Sequence, residues 1–239
     1  PPHNLPLCLI GAGLLWAGWF GFNSGSALSA SPLAALAFLN TSTAASMAVV
    51  AWALIEWVHR GKPTALGGAT AAVAGLVAIT PACGNVSPLG PIAIGAGVAV
   101  VSYAACTFLK PALGYDDSLD VFGVHGLGGM WGALASGLFA VTLGSGVESN
   151  AQQFMIQLKS VAFVTVFSIV ATTILLMLLK AVFGSLRVTE EEEYDGLDIS
   201  QHSENAYSLG GGGSIAEPMR ASIASSAPMP LLAKPGHTA

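Results

Sequence analysis

Six stretches of the chain are apolar enough and long enough to cross a lipid bilayer. A helix that crosses the hydrocarbon core needs about 20 predominantly apolar residues. The separators between the stretches are short and carry proline, glycine and serine, which end helices and form turns. The pattern predicts an all-α polytopic membrane protein whose sequential helices are antiparallel neighbours. The six predicted transmembrane helices cover roughly residues 5–28, 33–58, 64–83, 90–110, 121–144 and 154–185.

The composition supports a membrane protein. Of the 239 residues, 53% are hydrophobic and only 9% are charged, against about 25% charged in a typical soluble domain. The formal charge of −5 comes mainly from an acidic stretch at 190–204, beyond the last apolar run. No basic patch with interleaved aromatic residues is present, so nucleic acid is not expected as a partner.

The chain divides into three parts on these patterns. Residues 1–186 are expected to form the transmembrane domain, and 187–209 a cytoplasmic regulatory tail. Residues 210–239 are rich in glycine, serine, alanine and proline and predict a low-complexity, disordered end. The first residues contain neither an initiator methionine nor a signal-peptide pattern, so we expect further sequence upstream.

Lysine and arginine predict the orientation. Arg60 and Lys62 lie between the second and third spans, Lys110 follows the fourth, and Arg187 follows the sixth. The connections on the opposite side contain no lysine or arginine, and the positive-inside rule therefore places the basic side and the tail in the cytoplasm. Lys159 is the exception and is expected to extend to the interface.

His125 is the leading candidate for chemistry. It stands near the start of the fifth apolar run, where an ionisable side chain is costly and usually lines a bundle interior or a water path. Spacing on an α-helix predicts that Val121, four residues earlier, shares its face, with Phe122 beside them. A core histidine bonded to a neighbouring helix is the alternative. Asp120 is predicted to be a structural helix cap.

A second candidate site lies near the end of the first span. Trp19, Phe22 and Ser26 belong to a dense aromatic and hydroxyl cluster, which suits a small cation because ring faces attract cations. An interfacial aromatic belt is the alternative. Thr80 precedes Pro81 at the end of the third span, where a freed backbone carbonyl needs a partner; this is a weak indication of a pore lining.

Other features indicate structure rather than catalysis. Cys8, Cys83 and Cys106 are far apart and are interpreted as packing residues, with no zinc spacing. Glu56 and Arg60 are predicted to form an i,i+4 ion pair. No phosphate loop, zincin or hydrolase motif occurs. We therefore expect no enzyme activity, no cofactor and no metal site.

Four motifs together resemble the ammonium transporter (Amt/Mep) family, in order and at family spacing. The similarity extends from His3 to about Tyr207 and covers the second half of the family fold plus the tail. The motifs are GWFGFNSGS at 18–26, GLVAITPACG at 75–84, DVFGVHG at 120–126 and YDGLDISQHSENAY at 194–207.

The resemblance implies an architecture. Family members have eleven spans, of which the first ten form two inverted five-helix halves, and they assemble as homotrimers with one pore per subunit. Spans one to five here would be the second half-repeat, and span six the last, peripheral helix. The resemblance also implies a multi-pass protein of the plasma membrane or bacterial inner membrane, with the tail near the docking site of a PII-type signal protein.

The resemblance also implies roles for particular residues. His125 would be one of two pore histidines, and Phe22 one of two phenylalanines gating the outer mouth; each partner belongs to the first half. Ser26 would supply a hydroxyl to the ammonium recruitment site. The remaining pore-lining positions would be Trp19, Thr80 and Val121.

The physics of ion transfer is consistent with that function. A bare ion entering an apolar pore loses hydration worth several kcal/mol, whereas ammonium can leave its proton at the mouth and pass as ammonia. Imidazole can both donate and accept such a proton near neutral pH. Two alternatives are an ammonium sensor or scaffold of the same fold that signals through its tail, and a Rh-type gas channel.

Overall fold

All regular secondary structure in residues 2–205, the part that the computed structural model describes, is helical. One isolated antiparallel bridge joins Val86 and Ala140. Two helices contain π-helical turns, which we call the first π segment, Ala105–Leu109, and the second π segment, Phe122–Leu127. The α-helices are α1 Leu5–Gly25, α2 Pro32–Arg60, α3 Ala65–Ile79, α4 Gly90–Ala104, α5 Lys110–Leu113, α6 Gly128–Phe139, α7 Asn150–Phe183, α8 Glu190–Asp195 and α9 Leu197–His202.

Polar residues define where the first three helices begin. The side chains of Asn4, Ser31 and Thr64 accept hydrogen bonds from backbone N–H groups in the first turns of α1, α2 and α3. These N–H groups have no partner within the helix, so the caps satisfy donors that would otherwise face an apolar environment. Proline in the first turn of α1 and α2 adds a preset φ angle and removes one unpaired donor.

The predicted all-α membrane fold is confirmed, but the structure does not establish six full-length spans. Among residues 2–205, four helical stretches have the length and hydropathy of a membrane span: Leu5–Gly25, Pro32–Arg60, Gly90–Leu113 and Asn150–Phe183. The third predicted span forms a helix of only 15 residues, because Pro81 cannot donate to a continuing helix. The fifth begins as the second π segment and ends at Phe139.

Close backbone contacts hold α2 against both α3 and α4. Ala44, Ala45 and Ala48 are fully buried along one face of α2. A Cβ added at Gly75 on α3 would lie 2.7 Å from the Ala45 Cα, and one at Gly95 on α4 would clash with the Ala44 carbonyl. Small residues let helices in lipid approach closely. Gly75 and Gly95 are therefore the positions where α3 and α4 come closest to α2.

Gly75→Ala is expected to destabilise the protein by about 1–3 kcal/mol, the usual range for overpacking a tight contact. Gly21→Ala is the matched control, because nothing lies within 4 Å of a Cβ added at Gly21. Unfolding in detergent micelles measures both variants. If the Gly75→Ala protein is as stable as the control, α2 and α3 can move apart without a loss in the free energy of unfolding.

Buried polar side chains form hydrogen bonds between the first helices. The Asn40 amide nitrogen donates to the carbonyls of Cys83 and Val86, at 2.8 and 3.0 Å. The Asn23 amide donates to the Thr41 hydroxyl at 2.9 Å. Asn40 and Thr41 are fully buried, so these bonds satisfy groups that would be costly if left unpaired. They tie α1, α2 and the turn after α3 together.

Glu56 differs from its predicted role. It is buried, and its carboxylate accepts hydrogen bonds from the Thr64 backbone N–H at 2.7 Å and from the Thr64 hydroxyl at 3.0 Å. The Arg60 guanidinium instead lies 5.7 Å from the centre of the Tyr103 ring. The predicted pair of Glu56 and Arg60 is therefore wrong. The carboxylate stabilises the tight turn that begins α3, because a charged acceptor strengthens both bonds.

The described residues fall into two compact units that divide between Ile169 and Val170. Within the second unit, α8 begins with a capping box: the Thr189 hydroxyl accepts from the Glu192 N–H, and the Glu192 carboxylate accepts from the Thr189 N–H. The Gln201 amide of α9 donates to the same carboxylate at 2.7 Å. The low-complexity region predicted at 210–239 lies outside the described residues, as do the last residues of the predicted regulatory tail at 187–209.

The capping box predicts a pH dependence for α8. The Thr189 backbone N–H, and then its hydroxyl, hold the pKa of the Glu192 carboxyl below its ordinary value of 4.5. Because the folded pKa is depressed, the stabilisation is present above the unfolded pKa and is lost as the pH falls through the folded value. We expect the helical chemical shifts of 190–195 to decline below about pH 4.5. Glu192→Gln should abolish this transition and Glu191→Gln, the control, should retain it; identical titrations would contradict the assignment.

Candidate functional site

Trp19 and Thr80, predicted separately as pore-lining residues, are in direct contact. The Trp19 indole N–H of α1 donates to the Thr80 hydroxyl at 2.8 Å, and that hydroxyl donates to the Leu76 carbonyl of α3 at 2.8 Å. Both side chains are half-buried. The bond fixes the indole orientation and joins the end of α1 to the end of α3.

Phe22 and Ser26 lie beside this contact. The Phe22 ring meets the Trp19 ring edge to face, with centroids 5.9 Å apart, and its side chain is 62% exposed. The Ser26 hydroxyl donates to the Phe22 carbonyl at 2.6 Å. Because that bond uses the hydroxyl proton, the Ser26 oxygen still offers lone pairs to a donor. Trp19, Phe22, Ser26 and Thr80 therefore form one cluster, which we call the mouth cluster.

His125 lies on the second π segment, and its side chain is exposed. It borders a groove of about 620 Å³ between this segment with α6 and the first half of α7. Phe122 and Gly126 line the same groove. Single π-turns inside helices occur frequently at functional sites.

Val121 does not share this groove with His125. It is half exposed and precedes the π-turn, and the residue that lines the groove beside the imidazole is Phe122. The prediction of a shared face for Val121 and His125 assumed α-helical winding. The π-turn winds with i to i+5 hydrogen bonds, and the α-helical spacing rule does not apply across it.

Ser102 and Asp117 hold the second π segment in place. The fully buried Ser102 hydroxyl of α4 donates to the Gly123 carbonyl at 3.0 Å. The two carboxylate oxygens of Asp117 accept from the N–H groups of Val121 and Phe122, each at 2.9 Å. A Cβ added at Gly123 would lie 2.7 Å from the Cys106 sulfur, so the two π segments pack closely.

Asp120 is not the helix cap, and that prediction was wrong. Its carboxylate accepts from the Lys110 ammonium at 2.6 Å, and its backbone has a positive φ of 56°. Aspartate tolerates this left-handed conformation better than most residues. The cap is Asp117, three residues earlier. The sequence pattern did not single it out among the three acidic residues of this short loop, Asp116, Asp117 and Asp120.

Asp117→Ala is expected to lower stability by about 1 kcal/mol, the usual effect of losing a helix cap. Because the capped turn carries His125, the NMR resonances of the His125 ring should shift as well. Glu148→Ala removes a carboxylate from another loop and serves as the control. An unchanged His125 spectrum in Asp117→Ala would show that the cap does not position the imidazole.

The sequence did not single out other polar residues of the site. Ser102, Asn23 and Asn40 are polar groups inside apolar runs, and such groups are candidates for structural or functional roles by that fact alone. Cys8, Cys83 and Cys106 are free thiols in the structure. Within residues 2–205, no group of three histidine, cysteine, aspartate or glutamate side chains lies close enough to hold a metal ion.

Helix α3 contacts both α1, which carries most of the mouth cluster, and the second π segment, which carries His125. The mouth cluster offers aromatic faces and hydroxyl oxygens, which attract and accept from a small cation. His125 offers an imidazole, whose two ring nitrogens can donate and accept hydrogen bonds. These helices, apolar on their outer surfaces, define a multi-pass α-helical membrane protein.

The chain belongs to the Ammonium Transporter Family, whose family model matches residues 1–207. It is 50% identical over 212 residues to an ammonium transporter of Aquifex aeolicus, covering 87% of this chain and 50% of that protein. An ammonium transporter of Bacillus subtilis is 45% identical, with 86% of this chain and 52% of that protein covered. The chain thus spans about half the length of these curated relatives.

Solved structures show the same architecture. A structure described as a sensor Amt protein superposes with a TM-score of 0.79 at 37% identity, covering 83% of this chain and 49% of that one. The crystal structure of Candida albicans Mep2 gives a TM-score of 0.73 at 33% identity, covering 80% of this chain and 45% of that one. The resemblance found in the four sequence motifs is therefore confirmed.

Proposed function

We propose that this chain forms one wall of a pore that conducts ammonium as ammonia and a separated proton. The observation that carries the proposal is His125, an imidazole presented on the exposed side of a π-turn in an otherwise apolar helix. The hydrogen bonds from Ser102 and to Asp117 fix that turn. Family membership supplies the substrate class, since the named relatives are ammonium transporters.

The mouth cluster is proposed to recruit the cation. The rings of Trp19 and Phe22 and the Ser26 oxygen provide an electron-rich surface near the end of α1. Contact of a cation with such rings contributes about 0.5–1 kcal/mol when exposed and about 2 kcal/mol when desolvated. This interaction partly offsets the loss of water as ammonium approaches the apolar region.

Deprotonation then explains discrimination against other monovalent ions. A permanently charged ion entering the apolar region loses hydration worth several kcal/mol. Ammonium avoids this cost by transferring its proton to a water molecule at the mouth cluster, after which neutral ammonia passes Thr80 and Val121 to His125. The imidazole accepts a hydrogen bond from ammonia or passes on the proton, because it can be donor and acceptor.

The exposure of these side chains supports a pore wall that a second half completes. Phe22 is 62% exposed, and His125 is exposed beside its groove. The matched relatives are about twice as long as the matched segment. We propose that the complementary half supplies a second histidine and a second phenylalanine opposite these residues, as the family resemblance implies, and that this chain by itself does not conduct.

The assembly and the location are part of the same proposal. The complete protein is proposed to be a homotrimer in a plasma or bacterial inner membrane, with the tail in the cytoplasm. The basic residues Arg60, Lys62 and Lys110 on one side support that orientation. The acidic tail with α8 and α9 is the proposed contact for a PII-type signal protein.

Uptake of labelled methylammonium tests the pore. The chain is co-produced with the unmatched half of the Aquifex aeolicus relative, in cells that lack their own ammonium uptake. Uptake is expected only with both halves. His125→Ala should lower it by at least about tenfold, since positioned acid–base groups contribute about 100-fold or more. His202→Ala in the tail is the control, and equal uptake by the two variants would contradict the role of His125.

Sensing is a second candidate, favoured by the superposition on the structure described as a sensor Amt protein. The same cells distinguish it. Sensing replaces transport if two results occur together. The two halves reach the membrane and bind methylammonium without uptake into the cells, and this binding changes how strongly the tail retains a PII-type protein. Uptake with unchanged retention would remove sensing.

A further inference from the structure

A lysine side chain closes the loop between the two π segments. The Lys110 ammonium donates to the Asp120 carboxylate at 2.6 Å and to the Asp117 backbone carbonyl at 2.8 Å. Lys110 directly follows the first π segment, and Asp120 lies two residues before the second. The ammonium therefore joins the end of one π segment to the start of the other. We call Lys110, Asp117 and Asp120 the lysine clasp.

The loop needs a cation because it is acidic. The carboxylates of Asp116, Asp117 and Asp120 lie within five residues, and like charges this close repel one another. Lys110 is the only lysine or arginine between residues 63 and 158. Asp120 also has a positive φ of 56°, which a non-glycine residue keeps only where its surroundings hold it. The bond from Lys110 to the Asp120 carboxylate is one such restraint.

The clasp is bonded to the backbone of the second π segment. The Asp117 carboxylate caps the first N–H groups of that segment, while the Asp117 carbonyl accepts from Lys110. The Asp120 carbonyl accepts from the Val124 N–H at 3.0 Å, and His125 is the next residue. Both acids that bind the ammonium therefore also bind the turn that carries the imidazole.

Packing restrains the same segment from two sides. The Tyr115 ring of the loop meets the Phe122 ring edge to face, with centroids 5.7 Å apart, and Phe122 lines the groove that His125 borders. A Cβ added at Gly123 would lie 2.7 Å from the Cys106 sulfur of the first π segment. The second π segment is thus held by the first π segment on one side and by the loop on the other.

We infer that Lys110 is a positioning residue for His125. Its two bonds hold the loop that caps the second π segment, and the capped turn sets the direction of the imidazole. The inference rests on the proposed function of His125 in the pore. The side chains of Lys110 and Asp120 are 29% and 32% exposed, and ion pairs near the surface contribute little to stability. The effect of Lys110 is therefore expected in the geometry of the turn more than in the free energy of unfolding.

NMR of the full chain in detergent micelles tests the positioning without any need for transport. Lys110→Met removes the ammonium but keeps an unbranched side chain, and it should shift the ring resonances of His125. Lys110→Arg should return them towards the wild-type values, because a guanidinium can also donate to a carboxylate and a carbonyl. Lys159→Met, the control, removes an exposed cation from α7 and should leave them unchanged. Unchanged His125 resonances in Lys110→Met would overturn the inference.

A double-mutant cycle tests whether Lys110 acts through Asp120. Asp120→Asn removes the charge that Lys110 binds, and asparagine also tolerates a positive φ. This variant should shift the His125 ring as well. When Asp120→Asn is already present, Lys110→Met should add a smaller shift than it causes alone, because the two changes break the same bond. Fully additive shifts would contradict the clasp.

Methylammonium uptake by the chain and the unmatched half of the Aquifex aeolicus relative gives the functional readout. Lys110→Met should lower the maximal rate by about fivefold or more, since a small displacement of a reacting group can cost up to about 100-fold. The concentration for half-maximal uptake should stay the same, because the mouth cluster does not include the clasp. The opposite split would contradict positioning of His125. If the wild-type pair takes up nothing while the His125 ring still responds to Lys110→Met, the proposed function fails and the positioning stands.

Discussion

The fold depends on how closely α3 and α4 approach the backbone of α2. In a bilayer, lipid is as apolar as the side chains, so helices associate through packing and hydrogen bonds rather than through exclusion of water. Alanines on α2 and glycines on α3 and α4 bring backbones into contact at Gly75 and Gly95. Other parts of the molecule use this three-helix contact as a support: α1 through Asn23, and the second π segment through Ser102.

The buried polar groups contribute more to the choice of one arrangement than to the total stability of the fold. A satisfied hydrogen bond is worth about 0.5–1.5 kcal/mol, but an unpaired buried group costs about 1–3 kcal/mol. The bonds of Asn40 to two carbonyls and of Ser102 to Gly123 therefore favour one arrangement over any other that leaves these groups unpaired. This specificity matters most where the backbone departs from α-helical geometry, because there some backbone N–H and C=O groups lack a partner within the helix.

The helical fold could be predicted from sequence because hydropathy over 20 residues is a strong signal, and rare polar groups in the apolar runs supplied the candidate residues. Trp19 and Thr80 were chosen on separate grounds and proved to be bonded to each other. The failures have local causes. The Val121 prediction assumed α-helical spacing across a π-turn, the Asp120 prediction assumed a regular helix start where the backbone is left-handed, and the Glu56 carboxylate accepts from Thr64 instead of pairing with Arg60. Hydropathy carries no information about these features.

The π-turn changes the register of the fifth apolar segment. Seven residues are nearly two α-helical turns, with a drift of about 20°, so uninterrupted winding would put His125 and Gly132 on the same face. Yet a Cβ at Gly132 would clash with the backbone of Ala78 on α3, while His125 is exposed beside the groove. The wider turn resets the phase between them. One helix can thereby keep a glycine pressed against α3 and still turn its imidazole away from that contact. Removing a single residue from this turn would rotate the imidazole by about 100° relative to α6. The histidine would still be present, but it would face another direction.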